Sequence, residues 1–125
     1  MESRALAYIC IFITVLCTAV GQLMLKHATN NLGQMPANLY DGAIFLFKAL
    51  LNIYVIAGFA LAFIASLAWI AAVSKLELSF AYPFTSLGFV AVMLFSALFL
   101  NEPITPTRFI GVITICLGVY LISRS

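Results

Sequence analysis

The stretch ELSFAYPFTSLGFVAV, from Glu77 to Val92, holds two serines, a threonine, a tyrosine and a proline within an otherwise apolar run. Lipid offers such groups no hydrogen-bond partners, so neighbouring helices or water must satisfy them. Pro83 also removes one backbone donor and frees a carbonyl one turn earlier, around Ser79. The stretch therefore predicts a kinked membrane helix whose polar side, with Tyr82 and Ser86 four residues apart, faces a polar cavity. The alternative is a packed kink in which the hydroxyls bond back to their own helix.

The composition of the whole chain indicates a membrane protein. Of its 125 residues, 65% are hydrophobic and 8% are charged, and the mean hydropathy is +1.17. A soluble domain carries roughly a quarter charged residues. Apolar runs at about residues 4–27, 50–74, 78–100 and 104–123 approach the roughly 20 residues that cross hydrocarbon. The sequence predicts an all-α, four-helix transmembrane domain over residues 1–125. A net charge of +2 is too small and scattered to suggest nucleic acid.

The connection between the first two spans is longer than the other loops. A polar, turn-rich segment is followed by AIFLFKALL, residues 43–51, which is apolar but too short to span the membrane alone. It predicts a short interfacial helix that begins near Pro36 and covers residues 36–50. The alternative is an extension of the second span.

The distribution of cations does not choose an orientation. Four spans place both termini on one side of the membrane, and the positive-inside rule should identify that side. Three cations lie on each side, Arg4, Lys75 and Arg124 against Lys26, Lys48 and Arg108. Either the protein inserts both ways, or a partner fixes its orientation.

A polar stripe follows the first span at four-residue steps: Thr14, Thr18, Gln22 and Lys26. Such groups usually face the helix bundle or a watery cavity. The alternative for Lys26, near the helix end, is snorkelling to the lipid headgroups. Together with the third span, the stripe predicts a substrate site formed by Thr18, Gln22, Lys26, Tyr82, Thr85 and Ser86.

The charged residues limit the chemistry that is expected. All four acidic residues, Glu2, Asp41, Glu77 and Glu102, belong to ends or loops. Proton-coupled transporters usually keep an acidic residue or histidine within the membrane. The sequence has no nucleophile–base pair, metal-ligand set or phosphate-binding glycine loop. We therefore expect no enzymatic activity, no metal and no cofactor. Glu102 and Arg108 are expected to shape, cap or gate the loop before the fourth span.

The fourth span offers a surface for oligomerisation. Gly111, Thr114 and Gly118 leave one side of the helix small, and small residues let helix backbones approach closely in lipid. Four helices are also few to enclose a polar pathway. The pattern predicts a dimer interface, and the alternative is packing within one chain.

Four motifs carry a family resemblance: VGQLMLKHA, LSFAYPFTSLGFV, NEPITPTRFIGV and CLGVYLI. Together they resemble the small multidrug resistance-like branch of the drug/metabolite transporter superfamily, and within it the subunits that flip aminoarabinose-phosphoundecaprenol. The exporters of this branch carry a glutamate one turn before the glycine that matches Gly21. Here that position is about Thr18. This departure implies a relative of the lipid-linked sugar flippases more than a drug antiporter.

The resemblance implies a protein of the bacterial inner membrane that acts as a homodimer or heterodimer. It would move a polyprenyl-phosphate-linked sugar between leaflets, with Lys26 pairing with phosphate and neutral polar groups binding the sugar. Two alternatives stay open. One is a small multidrug resistance-type exporter of small cationic or polar solutes, and the other is a non-transporting membrane partner subunit.

Overall fold

The computed structural model describes residues 2–125, and within that range every regular element is a helix. The bounds of the helices are α1 Glu2–Leu32, α2 Leu39–Leu50, α3 Ile53–Val73, α4 Leu78–Ala81, α5 Leu87–Phe99 and α6 Pro106–Ser123. A 3₁₀ turn, Tyr82–Ser86, joins α4 to α5 without a break.

Four helical segments are long and apolar enough to cross a membrane: α1, α3, the continuous segment Leu78–Phe99, and α6. The predicted all-α, four-span membrane protein is confirmed. The first helix is longer than expected, because it continues past residue 27 to Leu32. It stops there because Gly33 has a φ of 89°, a left-handed conformation that commonly ends helices.

Three later helices begin at side-chain caps, which explains where they start. Asn38 Oδ1 accepts from the Tyr40 amide at 3.0 Å, and Asn52 Oδ1 accepts from the Tyr54 amide at 2.9 Å. Thr105 Oγ1 accepts from the Arg108 amide at 3.1 Å, ahead of a proline at the first turn of α6. These side chains satisfy backbone donors that have no partner inside the helix.

The short helix predicted between the first two spans is confirmed as α2, which begins at Leu39 rather than near Pro36. It is separate from α3, since the Asn52 cap starts a new helix. Much of its apolar surface points away from the bundle, with Leu39 91% and Phe47 73% exposed. Gly42 is buried, and the Met35 methyl group lies 3.2 Å from where a Cβ would stand. The interfacial location of α2 stays a prediction.

The closest packing in the chain joins α1 to α3. At their crossing, a Cβ on Gly21 would lie 3.2 Å from the Gly58 carbonyl oxygen, and a Cβ on Gly58 would lie 3.1 Å from the Gly21 carbonyl oxygen. The two backbones therefore touch, as small residues permit in lipid. Ala65 of α3, which is buried, continues this interface, since its carbonyl oxygen lies 3.3 Å from Thr14 Oγ1 of α1.

The last helix, α6, is attached much more loosely. Val119 is its one buried residue. Its large apolar side chains point outward: Phe109, Ile110, Ile113, Leu117, Tyr120 and Leu121. Next to Gly111 and Gly118 there is open space within 4 Å of where a Cβ would stand.

Candidate functional site

The 3₁₀ turn Tyr82–Ser86 lies where the sequence predicts a kink at Pro83. Its hydroxyls bond back to their own segment: Thr85 Oγ1 donates to the Tyr82 carbonyl and Ser86 Oγ donates to the Pro83 carbonyl, each at 2.6 Å. This is the geometry of the packed-kink alternative. Each hydroxyl oxygen still has lone pairs with which to accept a hydrogen bond. The turn can therefore be locally satisfied and still offer polar atoms to a cavity.

A cavity of about 460 Å³ lies between α1 and α5, at the end of the bundle away from the chain termini. We call it the loop-side cavity. Its polar lining residues are Thr18, Gln22, Thr85, Ser96, Glu102 and Arg108. Gly88, Phe89, Val92 and Met93 supply most of the apolar wall. The cavity thus combines neutral hydrogen-bonding groups with one carboxylate and one guanidinium group.

A second space of about 450 Å³ lies between α1, α3 and the 3₁₀ turn. We call it the inter-helix groove. Its polar and aromatic lining residues are Thr14, Thr18, Ser66, Trp69, Tyr82 and Thr85. The rings of Trp69 and Tyr82 meet edge to face, with centroids 6.0 Å apart. Because Thr18 and Thr85 line both spaces, the groove and the loop-side cavity adjoin at these two residues.

A third, more polar space of about 780 Å³ lies at the end of the bundle where both termini are found. We call it the terminal-side pocket. Arg4 from α1 and Lys75 from the loop after α3 line it, together with Glu77 and Ser79.

The loop before α6 is folded onto the end of α5, and this brings its charges to the loop-side cavity. Asn101 has a φ of 56°, a left-handed conformation that Asn tolerates better than most residues. The amide of Glu102 donates to the Ser96 carbonyl at 3.2 Å. Arg108 Nη1 donates to the Pro103 carbonyl at 3.1 Å, so its side chain lies along the same loop.

The structure brings together half of the substrate site expected from the sequence. Thr18, Gln22 and Thr85 line the loop-side cavity, and Tyr82 lines the adjoining groove. Ser86 is half-buried beside them.

Lys26 is not among the residues that line either space. It is exposed near the end of α1, where its carbonyl accepts from Thr29 Oγ1 at 2.8 Å. Glu102 and Arg108, which are expected to shape, cap or gate the loop, also line the loop-side cavity. On α6, Thr114 Oγ1 donates to the Ile110 carbonyl of its own helix at 2.9 Å.

Sequence reasoning overlooked Ser96, which is 7% exposed and lines the loop-side cavity. A signal was present, because Ser96 is a hydroxyl residue in an apolar run and stands at four-residue steps from Gly88 and Val92. That spacing puts the three residues along one side of a helix. No comparable sequence pattern indicates that Glu102 and Arg108 lie at this cavity.

Comparison with known proteins gives consistent results over nearly the whole chain. A family model described as "EamA-like transporter family" matches residues 5–124. A Serratia proteamaculans protein named "Probable 4-amino-4-deoxy-L-arabinose-phosphoundecaprenol flippase subunit ArnE" is 34% identical over 116 residues, which cover 93% of this chain and 94% of the relative. A Photorhabdus laumondii protein with the corresponding ArnF name is 37% identical over 121 residues, covering 94% and 96%. A Yersinia pestis protein with the ArnE name is 32% identical over 117 residues, again covering 94% and 96%. No solved structure matches the chain significantly.

Proposed function

The chain belongs to the EamA-like transporter family, and we propose that it translocates a polyprenyl-phosphate-linked sugar between the leaflets of the bacterial inner membrane. Curated relatives that cover nearly the same length are named as flippase subunits for aminoarabinose-phosphoundecaprenol. The observation that carries the proposal is the loop-side cavity, which offers groups for both parts of such a head group. Its volume of about 460 Å³ falls in the range of about 300–1,000 Å³ that small-molecule sites occupy.

The neutral polar groups of this cavity fit a sugar. Gln22 has an amide that both donates and accepts, and the Thr18 hydroxyl can do the same. The Thr85 hydroxyl, which donates to the Tyr82 carbonyl, can still accept. Sugar hydroxyls need such two-way partners when they leave water, because a buried polar group without a hydrogen bond is costly. The polyprenyl tail stays in lipid while the head group crosses beside α1.

Arg108 is our proposed partner for the lipid phosphate. It lines the loop-side cavity and Lys26 does not, although the side chains of both residues are exposed. A guanidinium group binds phosphate through two parallel hydrogen bonds, which fixes the orientation of the anion as well as its position. One N–H donor of Arg108 is used by the Pro103 carbonyl, and a guanidinium group has five.

We further propose that the working unit contains two small chains. The relatives are named as subunits, and α6 turns most of its apolar surface away from the rest of the chain. The partner is a second copy of this chain or a similar small subunit.

The test is a flipping assay with purified protein in liposomes. A fluorescent polyprenyl-phosphate aminopentose is placed in one leaflet, and its arrival in the other leaflet is measured by quenching. We expect Gln22→Ala to reduce the rate, with Leu94→Ala, on the apolar side of α5, as the matched control. If the wild-type chain alone flips no lipid, and adding a second small subunit produces flipping, the result supports the partner-subunit alternative. Uptake of a quaternary cation without lipid flipping would instead identify an exporter of small cations.

A further inference from the structure

We propose that Glu102 selects the head group by binding an ammonium, so that Glu102 and Arg108 together recognise a head group that carries both an amine and a phosphate. The inference rests on the proposed function and adds the residue that distinguishes an amino sugar from a neutral sugar.

The charge composition of the loop-side cavity is the first step. Among its lining residues, Glu102 is the carboxylate and Arg108 is the guanidinium, and the remaining polar groups are neutral. A site for a simple cation needs no arginine, and a site for a simple anion is weakened by a carboxylate. One charge of each sign suits a ligand with one charge of each sign.

The second step is that hydrogen bonds fix the backbone of the loop at both residues. The Glu102 amide is fixed on the Ser96 carbonyl, after the left-handed turn at Asn101. The Arg108 amide is fixed by Thr105, and its side chain by the Pro103 carbonyl. The two charges therefore reach the cavity from a folded loop, which lowers the cost of ordering them around a ligand.

The third step is the chemistry of discrimination. An ammonium donates charge-assisted hydrogen bonds to a carboxylate, and these are roughly twice as strong as bonds between neutral groups. Glu102 is partly buried, so the attraction is weakened by water less than at an open surface. A hydroxyl in place of the amine keeps the size of the sugar but loses the charge. Glu102 therefore acts on the preference for the amine more than on binding of the lipid itself.

The experiment compares two lipids that differ in one functional group. Binding to the purified full chain is measured for a polyprenyl-phosphate aminopentose and for the same lipid with a hydroxyl in place of the amine. We expect the wild type to bind the amine form about tenfold to a hundredfold more tightly. Glu102→Gln should abolish this preference and leave the affinity for the hydroxyl form unchanged, and Glu102→Asp should keep part of the preference. Arg108→Gln should weaken both lipids to the same degree.

The matched control is Glu77→Gln, which removes a carboxylate from the terminal-side pocket and should keep the preference. If Glu102→Gln weakens both lipids equally, or lowers the thermal stability and binds neither, Glu102 only shapes the loop and the inference is overturned. If the wild type binds both lipids equally, the inference also fails while the proposed function stands. If the wild type binds and flips neither lipid, the proposed function itself fails.

Discussion

Thr14 shows how a single hydroxyl is satisfied inside a membrane helix and what it contributes there. Its Oγ1 lies 2.8 Å from the Cys10 carbonyl of its own helix and 3.3 Å from the Ala65 carbonyl of α3. Thr114 makes only the first kind of bond, to the Ile110 carbonyl one turn earlier on α6. The two threonines therefore differ by one interaction between helices.

We predict that Thr14→Val destabilises the fold by about 0.6 kcal/mol, the average measured for hydrogen bonds between membrane helices. Valine keeps the shape of the side chain but removes the hydroxyl. Thr114→Val is the control and should change stability by less, because its bond stays within one helix. Unfolding in mixed detergent micelles measures both variants. Equal effects would mean that the contact with the Ala65 carbonyl contributes nothing.

A second prediction at this scale separates the two basic residues near the loop side. Arg108→Gln should weaken binding of a polyprenyl phosphate about tenfold to a hundredfold, because hydrogen bonds to charged groups contribute roughly 1.5–3 kcal/mol. Lys26→Gln should change the affinity little, since Lys26 is not among the residues that line the cavity. Fluorescence titration in nanodiscs measures both. If Lys26→Gln loses more affinity than Arg108→Gln, the partner of the phosphate is Lys26 and not Arg108.

Helix geometry explains why Thr18 and Gln22 of the predicted stripe line the cavity while Lys26 does not. Each four-residue step turns by about 40° around an α-helix, so the stripe from Thr14 to Lys26 drifts by about 120°. Its middle faces the cavity and its end does not. The spacing could not place Glu102 and Arg108 at the cavity. Their location depends on the hydrogen bond to the Ser96 carbonyl and on the turn at Asn101.

At the scale of the helices, the crossing of α1 and α3 is the most constrained contact. A side chain at Gly58 would meet the Gly21 carbonyl oxygen at 3.1 Å and Leu25 at 3.2 Å. The first of these is a backbone atom, which can move only if the helices separate.

We predict that Gly58→Leu separates α1 from α3 and destabilises the fold by more than the roughly 1–3 kcal/mol that overpacking typically costs. Gly111→Leu is the control, because open space surrounds that position within the chain. Thermal unfolding of monomers in detergent is the measurement, together with disulfide cross-linking of cysteines placed on α1 and α3. Equal stability of the two variants would show that the crossing is not close.

The ends of the helices were less predictable than their existence. Four apolar runs predict the spans, because length and composition are enough for that. The end of α1 depends on Gly33 and the start of α2 on the Asn38 cap, and both are single-residue effects. Asparagines and glycines are frequent between residues 30 and 42, so the sequence alone does not show which of them ends or begins a helix.

For the whole molecule, the polar surfaces form a series along α1. Arg4 lines the terminal-side pocket, Thr14 the inter-helix groove, and Gln22 the loop-side cavity. At about 1.5 Å per residue, the distance from Arg4 to Gln22 is about 27 Å, close to the roughly 30 Å of a bilayer's hydrocarbon core. The groove and the loop-side cavity adjoin, but on α1 the buried apolar residues Ala7 and Ile11 lie between Arg4 and Thr14, so the series is interrupted between the terminal-side pocket and the groove.

This series predicts the pattern of water access. In a background without native cysteines, cysteines at Gln22, Thr85 and Ser66 should react with a water-soluble thiol reagent in liposomes. Cysteines at Leu94 and Phe12, which line an apolar space between α1 and α5, should react at least tenfold more slowly, because thiolate formation needs water. If all five cysteines are equally protected from the reagent, the result contradicts a water-accessible polar pathway.

The loose attachment of α6 leads to the prediction that concerns assembly. Gly111 and Gly118 have open space beside them within one chain, so Gly118→Leu should leave the monomer folded. In a dimer, the same leucine keeps two helix backbones from approaching closely, and the association should weaken. Single-molecule photobleaching in dilute liposomes gives the dimer fraction.

Ile113→Ala is the control for this assembly prediction. Ile113 lies two residues from Gly111 and therefore about 200° around α6, on the side away from the proposed interface. Its truncation should leave the dimer fraction unchanged. If Gly118→Leu leaves that fraction unchanged and Ile113→Ala reduces it, the interface uses the other face of α6, and the glycines have a different role. If neither variant changes it, the two chains associate through a surface other than these two faces of α6.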